Sequence, residues 1–185
     1  MSRRSFLREF FKANRMVGSV LPSSRFLSAK MLAPIDFSRA KVIVELGPGT
    51  GVFTRALIKS MPQDCILLVI ELNEAFYKNL QMQLSNPQVK LIHGSATELD
   101  TYLKKLGLAH ADYIVSALPL SNFPNELRSK ILESCKISIQ PNGRFIQFQY
   151  SRGLKKMYKD YFSNVHIDYT ILNFPPAFIY TCSNS

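Results

Sequence analysis

With 185 residues, 46% of them hydrophobic, the chain has material for one sizeable core and no room for a second domain of ordinary size. The net charge of +10 points to a polyanionic partner, whether nucleic acid, an anionic membrane surface or an acidic ligand. Cys65, Cys135 and Cys182 are odd in number, widely spaced and unclustered with histidine, which argues against a disulfide framework or a metal site and for a reducing compartment.

In chain order, the first forty residues stand apart. Phe6, Leu7, Phe10, Phe11 and Val17 would share one helical face, and Arg4, Arg8, Lys12 and Arg15 another. That profile suits a helix lying in a membrane interface or one packed over a sheet with a solvated basic face. Charges at Arg8, Glu9, Lys12 and Arg15 interrupt any secretory apolar region, and the longest apolar runs, such as Cys65 to Ile70, fall far short of the roughly 20 residues of a membrane span. Beyond residue 40, Val- and Ile-rich runs alternate with amphipathic segments, the pattern of a parallel sheet covered by helices. Strands are expected at Val42 to Leu46, Ile66 to Glu71, Val89 to His93, Tyr113 to Ser116 and Arg144 to Tyr150. Helices are expected at Val52 to Ser60, Glu74 to Leu84, Glu98 to Leu106, Asn125 to Ile139 and Leu154 to Phe162. Pro141-Asn142-Gly143 reads as a turn that launches the fifth strand. Val165 to Leu172 and Ala177 to Cys182, joined by a short connection, must pair antiparallel.

The stretch KVIVELGPGTG places Gly47, Gly49 and Gly51 between a buried strand and a helix, where a backbone without side chains can turn sharply and approach a ligand. The spacing is GxGxG, not the GxGxxG of dinucleotide folds, and no Lys-Ser or Lys-Thr follows to make a phosphate loop. Glu45 would oppose a pyrophosphate and suits a cationic ligand. Glu71, ending the second strand, can take both hydroxyls of a ribose. A ligand with a ribose, no phosphate and a positive amino-acid tail is S-adenosylmethionine. The plainer reading makes Glu71 a helix N-terminal acid and the glycines an ordinary tight turn.

ELGPGTG with the later VIEL resembles the cofactor motif of class I S-adenosylmethionine-dependent methyltransferases. The resemblance implies an α/β fold: a Rossmann-like, mostly parallel seven-stranded sheet with helices on both faces and an antiparallel C-terminal pair. It also implies that Glu45, Gly47 and Gly49 line the methionine end of the cofactor and Glu71 its ribose, with Gly51 also among the cofactor-binding residues. Many members contact the adenine with an Asp after the third strand. Here the HGSA segment has Ser95, so adenine recognition is expected from Ser95, the Ala96 amide and stacking by Leu72.

The segment Ser116-Ala117-Leu118-Pro119-Leu120 bears on the methyl acceptor. Ribosomal RNA adenine dimethylases, which the charge and layout also resemble, carry Asn-Leu-Pro-Tyr or a close variant here. The Asn accepts from the adenine amine and the ring stacks on the flipped base. Ala117 and Leu120 supply neither. The amphipathic N-terminus, residues 17–24, SALPL with Asn122-Phe123-Pro124, and Asn173-Phe174-Pro175-Pro176-Ala177 together resemble bacterial phospholipid N-methyltransferases of the soluble rhizobial type. That resemblance implies methylation of phosphatidylethanolamine or a related phospholipid. It implies an N-terminal helical segment (1–40) docked on an anionic membrane surface over a cofactor-binding domain (41–185), with the protein cytoplasmic and peripheral to the inner membrane face.

Ser116, Gln147 and Tyr150, at strand ends facing the transferred methyl, are the candidates to supply acceptor oxygens; Gln147 and Tyr150 also fit as half-exposed strand residues. His93 is either a proton relay or a structural residue. An RNA adenine N6-methyltransferase is the alternative, supported by Arg152, Lys155, Lys156 and Lys159 on the last helix. A small-molecule methyltransferase or a non-catalytic cofactor-binding protein are further alternatives.

Overall fold

A computed structural model describes residues 25–150, 153–173 and 175–184. Seven strands, β1 (Val42–Leu46), β2 (Ile66–Glu71), β3 (Val89–His93), β4 (Ala111–Ser116), β5 (Ile139–Gln149), β6 (Asn164–Thr170) and β7 (Ala177–Ser183), form one sheet in the order β3-β2-β1-β4-β5-β7-β6. The first five are parallel, and β7 runs antiparallel to both β5 and β6. Six helices cover it: α1 (Arg25–Leu32), α2 (Val52–Ser60), α3 (Glu74–Gln83), α4 (Leu99–Lys105), α5 (Asn125–Ser138) and α6 (Lys155–Tyr161).

The central strands are apolar on both faces because both faces are covered. Val44, Leu46, Leu68, Ile70 and Ile114 meet Leu103 of α4, Leu132 of α5 and Tyr158 of α6. The alternate residues Ile43, Leu67, Val69, Val115 and Ile146 meet Leu27 and Met31 of α1 and Phe53 and Leu57 of α2. Residues 25–40 therefore belong to the same core, which buries Leu27, Met31, Leu32, Ile35 and Ala40. The chain leaving α1 reaches the amino ends of β4 and β5, where Asp36 N donates to the Tyr113 hydroxyl (3.1 Å) and Arg144 Nη1 to the Pro34 carbonyl (2.9 Å). It follows that α1 descends from the carboxyl edge of the sheet. Midway, Lys30 pairs with Asp168 at 2.8 Å. The basic amphipathic segment expected over residues 4–17, the 17–24 stretch, Arg152 and Phe174 lie outside the described residues.

Local signals explain most boundaries. α2 stops at Met61, which is extended (ψ 146°) because Pro62 follows and forbids the helical conformation before it. The Asn73 side chain caps α3 by accepting from Ala75 N (2.9 Å) and Phe76 N (3.2 Å).

The fifth strand differs from expectation. It begins at Ile139, where a helix end was expected, and Pro141-Asn142-Gly143 lies inside it as a bulge: between Ala111↔Ile139 and Tyr113↔Arg144, β4 advances two residues and β5 five. Asp112 fixes the bulge, accepting from the Gln140 amide through one oxygen and from Lys41 N and Val42 N (both 2.7 Å) through the other. At Gly143 a Cβ would stand 2.6 Å from Ile139 Cγ1 and 2.8 Å from the Asp112 carbonyl. The strand ends at Gln149, leaving Tyr150 just beyond it.

Candidate active site

At the carboxyl edge of β1 the chain turns through three left-handed glycines, Gly47 (φ 69°), Gly49 (φ 56°) and Gly51 (φ 79°). L-residues rarely adopt this conformation, which explains the GxGxG spacing. Each glycine has its own surroundings. A Cβ on Gly47 would lie 2.6 Å from Leu118 Cδ2, and one on Gly51 2.7 Å from Leu80 Cδ2 of α3. A Cβ on Gly49 would meet nothing within 4 Å. The loop is thus wedged at both ends and has open space in the middle, at Gly49.

Two carboxyls stand beside this loop on one face of the sheet. Glu45 is fully buried, and among the described residues neither of its oxygens has a hydrogen-bond partner. Burial pushes its carboxyl up to about 8; Thr54, at a geometry short of a hydrogen bond, and Arg55 pull the other way, while the Glu71 charge adds to the rise. Glu71, also buried, accepts from Gly49 N (3.1 Å) and Asn73 N (2.7 Å). Burial raises its pKa against the pull of these amides. A glycine cradle with an orphaned acid beneath it and a second acid at the end of β2 fits a ligand bearing an ammonium group and a ribose.

The adjoining cleft is lined by Gly47, Glu71, Leu72, Ser95, Ala96 and Leu118, and closed on its far side by Phe123, Leu127 and Ile131. Leu127 and Ile131 are four residues apart on one face of α5. The adenine-end candidates Leu72, Ser95 and Ala96 therefore come together with Gly47 and Glu71. The Ser95 hydroxyl caps the 3-10 turn Ala96–Glu98, accepting from Thr97 N (3.3 Å). Sequence reasoning missed Tyr102 of α4. Its hydroxyl accepts from Ser95 N (3.2 Å) and donates to Glu98, and a Cβ on Gly94 would lie 2.1 Å from it. The signal for it was Gly94 in HGSA, eight residues before the tyrosine that needs the space. His93 is exposed on the edge strand, donates to the Leu72 carbonyl (3.1 Å) and stacks on Tyr77 (5.0 Å, 26°). It stands three strands from Ser116, and its ring braces Leu72.

Toward the carboxyl ends of β4 and β5, Ser116 and Gln147 are register partners, both fully buried. Gln147 is thus not half-exposed. Its Nε2 donates to the carbonyls of Leu118 (3.0 Å) and Phe148 (2.7 Å), while its Oε1 is buried without a partner among the described residues. Gln149, two residues on and on the same strand face, also donates to the Leu118 carbonyl (3.3 Å). It was missed, although the alternation Gln147-Phe148-Gln149 signals it. Tyr150 points to the opposite face, with Phe148, its ring edge-on at 5.7 Å and about half exposed. The structure therefore brings Ser116 and Gln147 together and sets Tyr150 apart from them.

Among the described residues, no group of three or more His, Cys, Asp or Glu is placed to hold a metal ion, and no helix is long and apolar enough to cross a membrane. The three cysteines are buried thiols.

Comparison with known proteins agrees with the geometry. A family model of ribosomal RNA adenine dimethylases matches residues 10–158. An ornithine lipid N-methyltransferase of Singulisphaera acidiphila is 32% identical over 179 residues, covering 96% of this chain and 93% of that one. The ribosomal RNA small subunit methyltransferase A of Mycoplasma capricolum is 28% identical over 121 residues, 65% of this chain and 43% of the relative. Among solved structures, the 1,6-didemethyltoxoflavin-N1-methyltransferase of Burkholderia thailandensis, with S-adenosylhomocysteine bound, superposes with a TM-score of 0.69 at 16% identity, covering 97% of this chain and 85% of that one. The precorrin-6y C5,15-methyltransferase of Geobacter metallireducens gives 0.68 at 13% identity, with 88% of each chain covered. Those two likenesses show the fold; the family model and the lipid-modifying relative show the lineage. The chain belongs to the ribosomal RNA adenine dimethylase family and is an S-adenosylmethionine-dependent methyltransferase.

Proposed function

We propose that the protein methylates the amine of a membrane lipid, phosphatidylethanolamine or a related aminolipid, at the membrane surface. The observation that carries this reading is Leu120, fully buried in the core where an adenine methyltransferase would present a stacking ring. Ala117 offers no side-chain acceptor, and two glutamine amides already occupy the Leu118 carbonyl. A flipped base with no ring to stack on would lose roughly 1–3 kcal/mol. The relative that matches nearly the whole chain is named for an ornithine lipid, which like phosphatidylethanolamine presents an amine beside acyl chains.

S-adenosylmethionine supplies an electrophilic methyl group on a sulfonium. Glu45 meets the cofactor's ammonium group, Glu71 its ribose hydroxyls, and Leu72, Ser95 and Ala96 its adenine. Gln147 Oε1, the buried oxygen without a partner among the described residues, would accept an N–H of the incoming amine and turn its lone pair toward the methyl, with Ser116 Oγ beside it. Leu118, Phe123 and Leu127 keep water from the reacting atoms. Neither Ser116 nor Gln147 is a base. The amine must therefore arrive neutral, and the rate should climb with pH toward the alkylammonium range near 10.

The test is methyl transfer from labelled cofactor to vesicles of phosphatidylethanolamine and phosphatidylglycerol, run beside ribosomal RNA. Label in the lipid fraction is expected. Label confined to RNA would overturn the reading in favour of adenine methylation, the second possibility, which the family model and the net charge support.

A further inference from the structure

The edge of the sheet that carries the glycine loop also carries an apolar tip outside the site. Because β7 is antiparallel to β5 and to β6, the β6–β7 connection emerges at the carboxyl ends of β1, β4 and β5. There Tyr169 is 57% exposed, Ile171 71% and Leu172 60%, with Pro175 and Pro176 exposed beyond them. Tyr150 lies past the end of β5, and the partly exposed Phe26 begins α1 at the same edge.

Asn173 is buried and donates from Nδ2 to the Pro175 carbonyl at 2.8 Å, and two prolines follow. Residues 169–176 contain no charge. At the start of α6, Lys155 and Lys156 are exposed. Between residues 140 and 185 the only acids in the sequence are Asp160 and Asp168, and Asp168 is paired with Lys30. An apolar tip in a cationic, acid-poor surround is complementary to an anionic bilayer. A second copy of the chain is a poorer occupant, since a stable interface buries roughly 800 Å² per partner, far more than a tip of a few side chains offers.

We infer that the β6–β7 tip is a membrane wedge: Ile171 and Leu172 enter the acyl-chain boundary of an anionic bilayer and hold the carboxyl edge of the sheet, with the acceptor site, against the headgroups. The inference rests on the lipid-substrate reading above and adds a point of contact independent of residues 1–24.

The chain contains no tryptophan, so Leu172→Trp gives a single emission from the tip. With vesicles of phosphatidylethanolamine and phosphatidylglycerol, that emission should shift to the blue and be quenched by brominated acyl chains. Ile171→Asp with Leu172→Asp should lower vesicle partitioning about tenfold or more, leaving cofactor affinity and thermal midpoint as in the wild type. Vesicle binding without quenching, or an unchanged partition of the double variant, would overturn the wedge. Methyl transfer on the same vesicles separates the two claims. Labelled lipid without quenching sinks the wedge and leaves the substrate reading; quenching with label only in RNA supports the wedge and sinks the substrate reading. Self-association that the double variant abolishes, with no vesicle binding, would assign the tip to a second copy instead.

Discussion

The two halves of the proposed site, the cofactor end and the acceptor end, are built from different materials. At the cofactor end the backbone does most of the work: three left-handed glycines, wedged by Leu118 and Leu80, above two buried carboxyls. At the proposed acceptor end, by the carboxyl ends of β4 and β5, the polar groups are buried side chains, the amides of Gln147 and Gln149 and the hydroxyl of Ser116. A backbone cradle admits one ligand and tolerates little change. A side-chain lining can be exchanged residue by residue without disturbing the sheet, which suits a family whose named members include a ribosomal RNA methyltransferase and an ornithine lipid methyltransferase.

The largest effect expected from this contrast is at Gly47. Gly47→Val forces a φ of 69° on a β-branched residue, about 1–2 kcal/mol or more, and drives its side chain into Leu118. Calorimetry should show cofactor affinity falling at least a hundredfold; near-normal binding would break the contrast. Next is Glu45→Gln, expected to weaken the cofactor roughly 10- to 100-fold by removing a charge-assisted contact. It also carries a pH signature. The folded-state pKa of Glu45 lies above its ordinary value of 4.5, at about 8, so the folded state retains a proton that the unfolded chain releases. Glu45's contribution is fully present below about pH 4.5 and lost as pH rises toward 8. The empty wild-type protein should therefore lose thermal stability across that window, relative to a Glu45→Gln variant lacking the slope. Cofactor binding near pH 7 should also release protons, visible by calorimetry in buffers of different ionisation heat.

Smaller effects belong to the acceptor end. Gln147→Leu should lower kcat about 10- to 100-fold with cofactor affinity unchanged. Gln149→Leu should have a milder effect, since Gln147 keeps its bond to the Leu118 carbonyl. Tyr150→Phe, the smallest, retains the ring contact with Phe148; a fall in rate of up to about tenfold would count its hydroxyl among the acceptors, and an unchanged rate would remove it.

The same division explains what could be read in the sequence. Gly47, Gly49, Gly51 and the acids in register with them were legible because left-handed turns and strand-end carboxylates each admit few residue types. The antiparallel final pair was legible because its connection is too short for a crossover. The start of β5 was not. Pro141-Asn142-Gly143 has the local chemistry of a turn, and only Asp112, 28 residues before Gln140, binds the stretch into the ladder as a bulge. Nor could a pattern of residue types reveal that the Leu118 carbonyl is taken by two amides. That fact depends on where a loop crosses the strand ends, which periodicity does not encode.

The order β5-β7-β6 has a consequence for assembly. β6 touches the sheet only through β7, so seven residues, Ala177–Ser183, hold two strands in place. During synthesis β6 would emerge with no strand to join until its partner follows it, and the hairpin would close last. A nick or truncation ahead of Ala177 would then remove more than one edge strand. It would uncover the flank of β5, including the backbone on either side of Gln147, and leave an open sheet edge prone to pair with another chain.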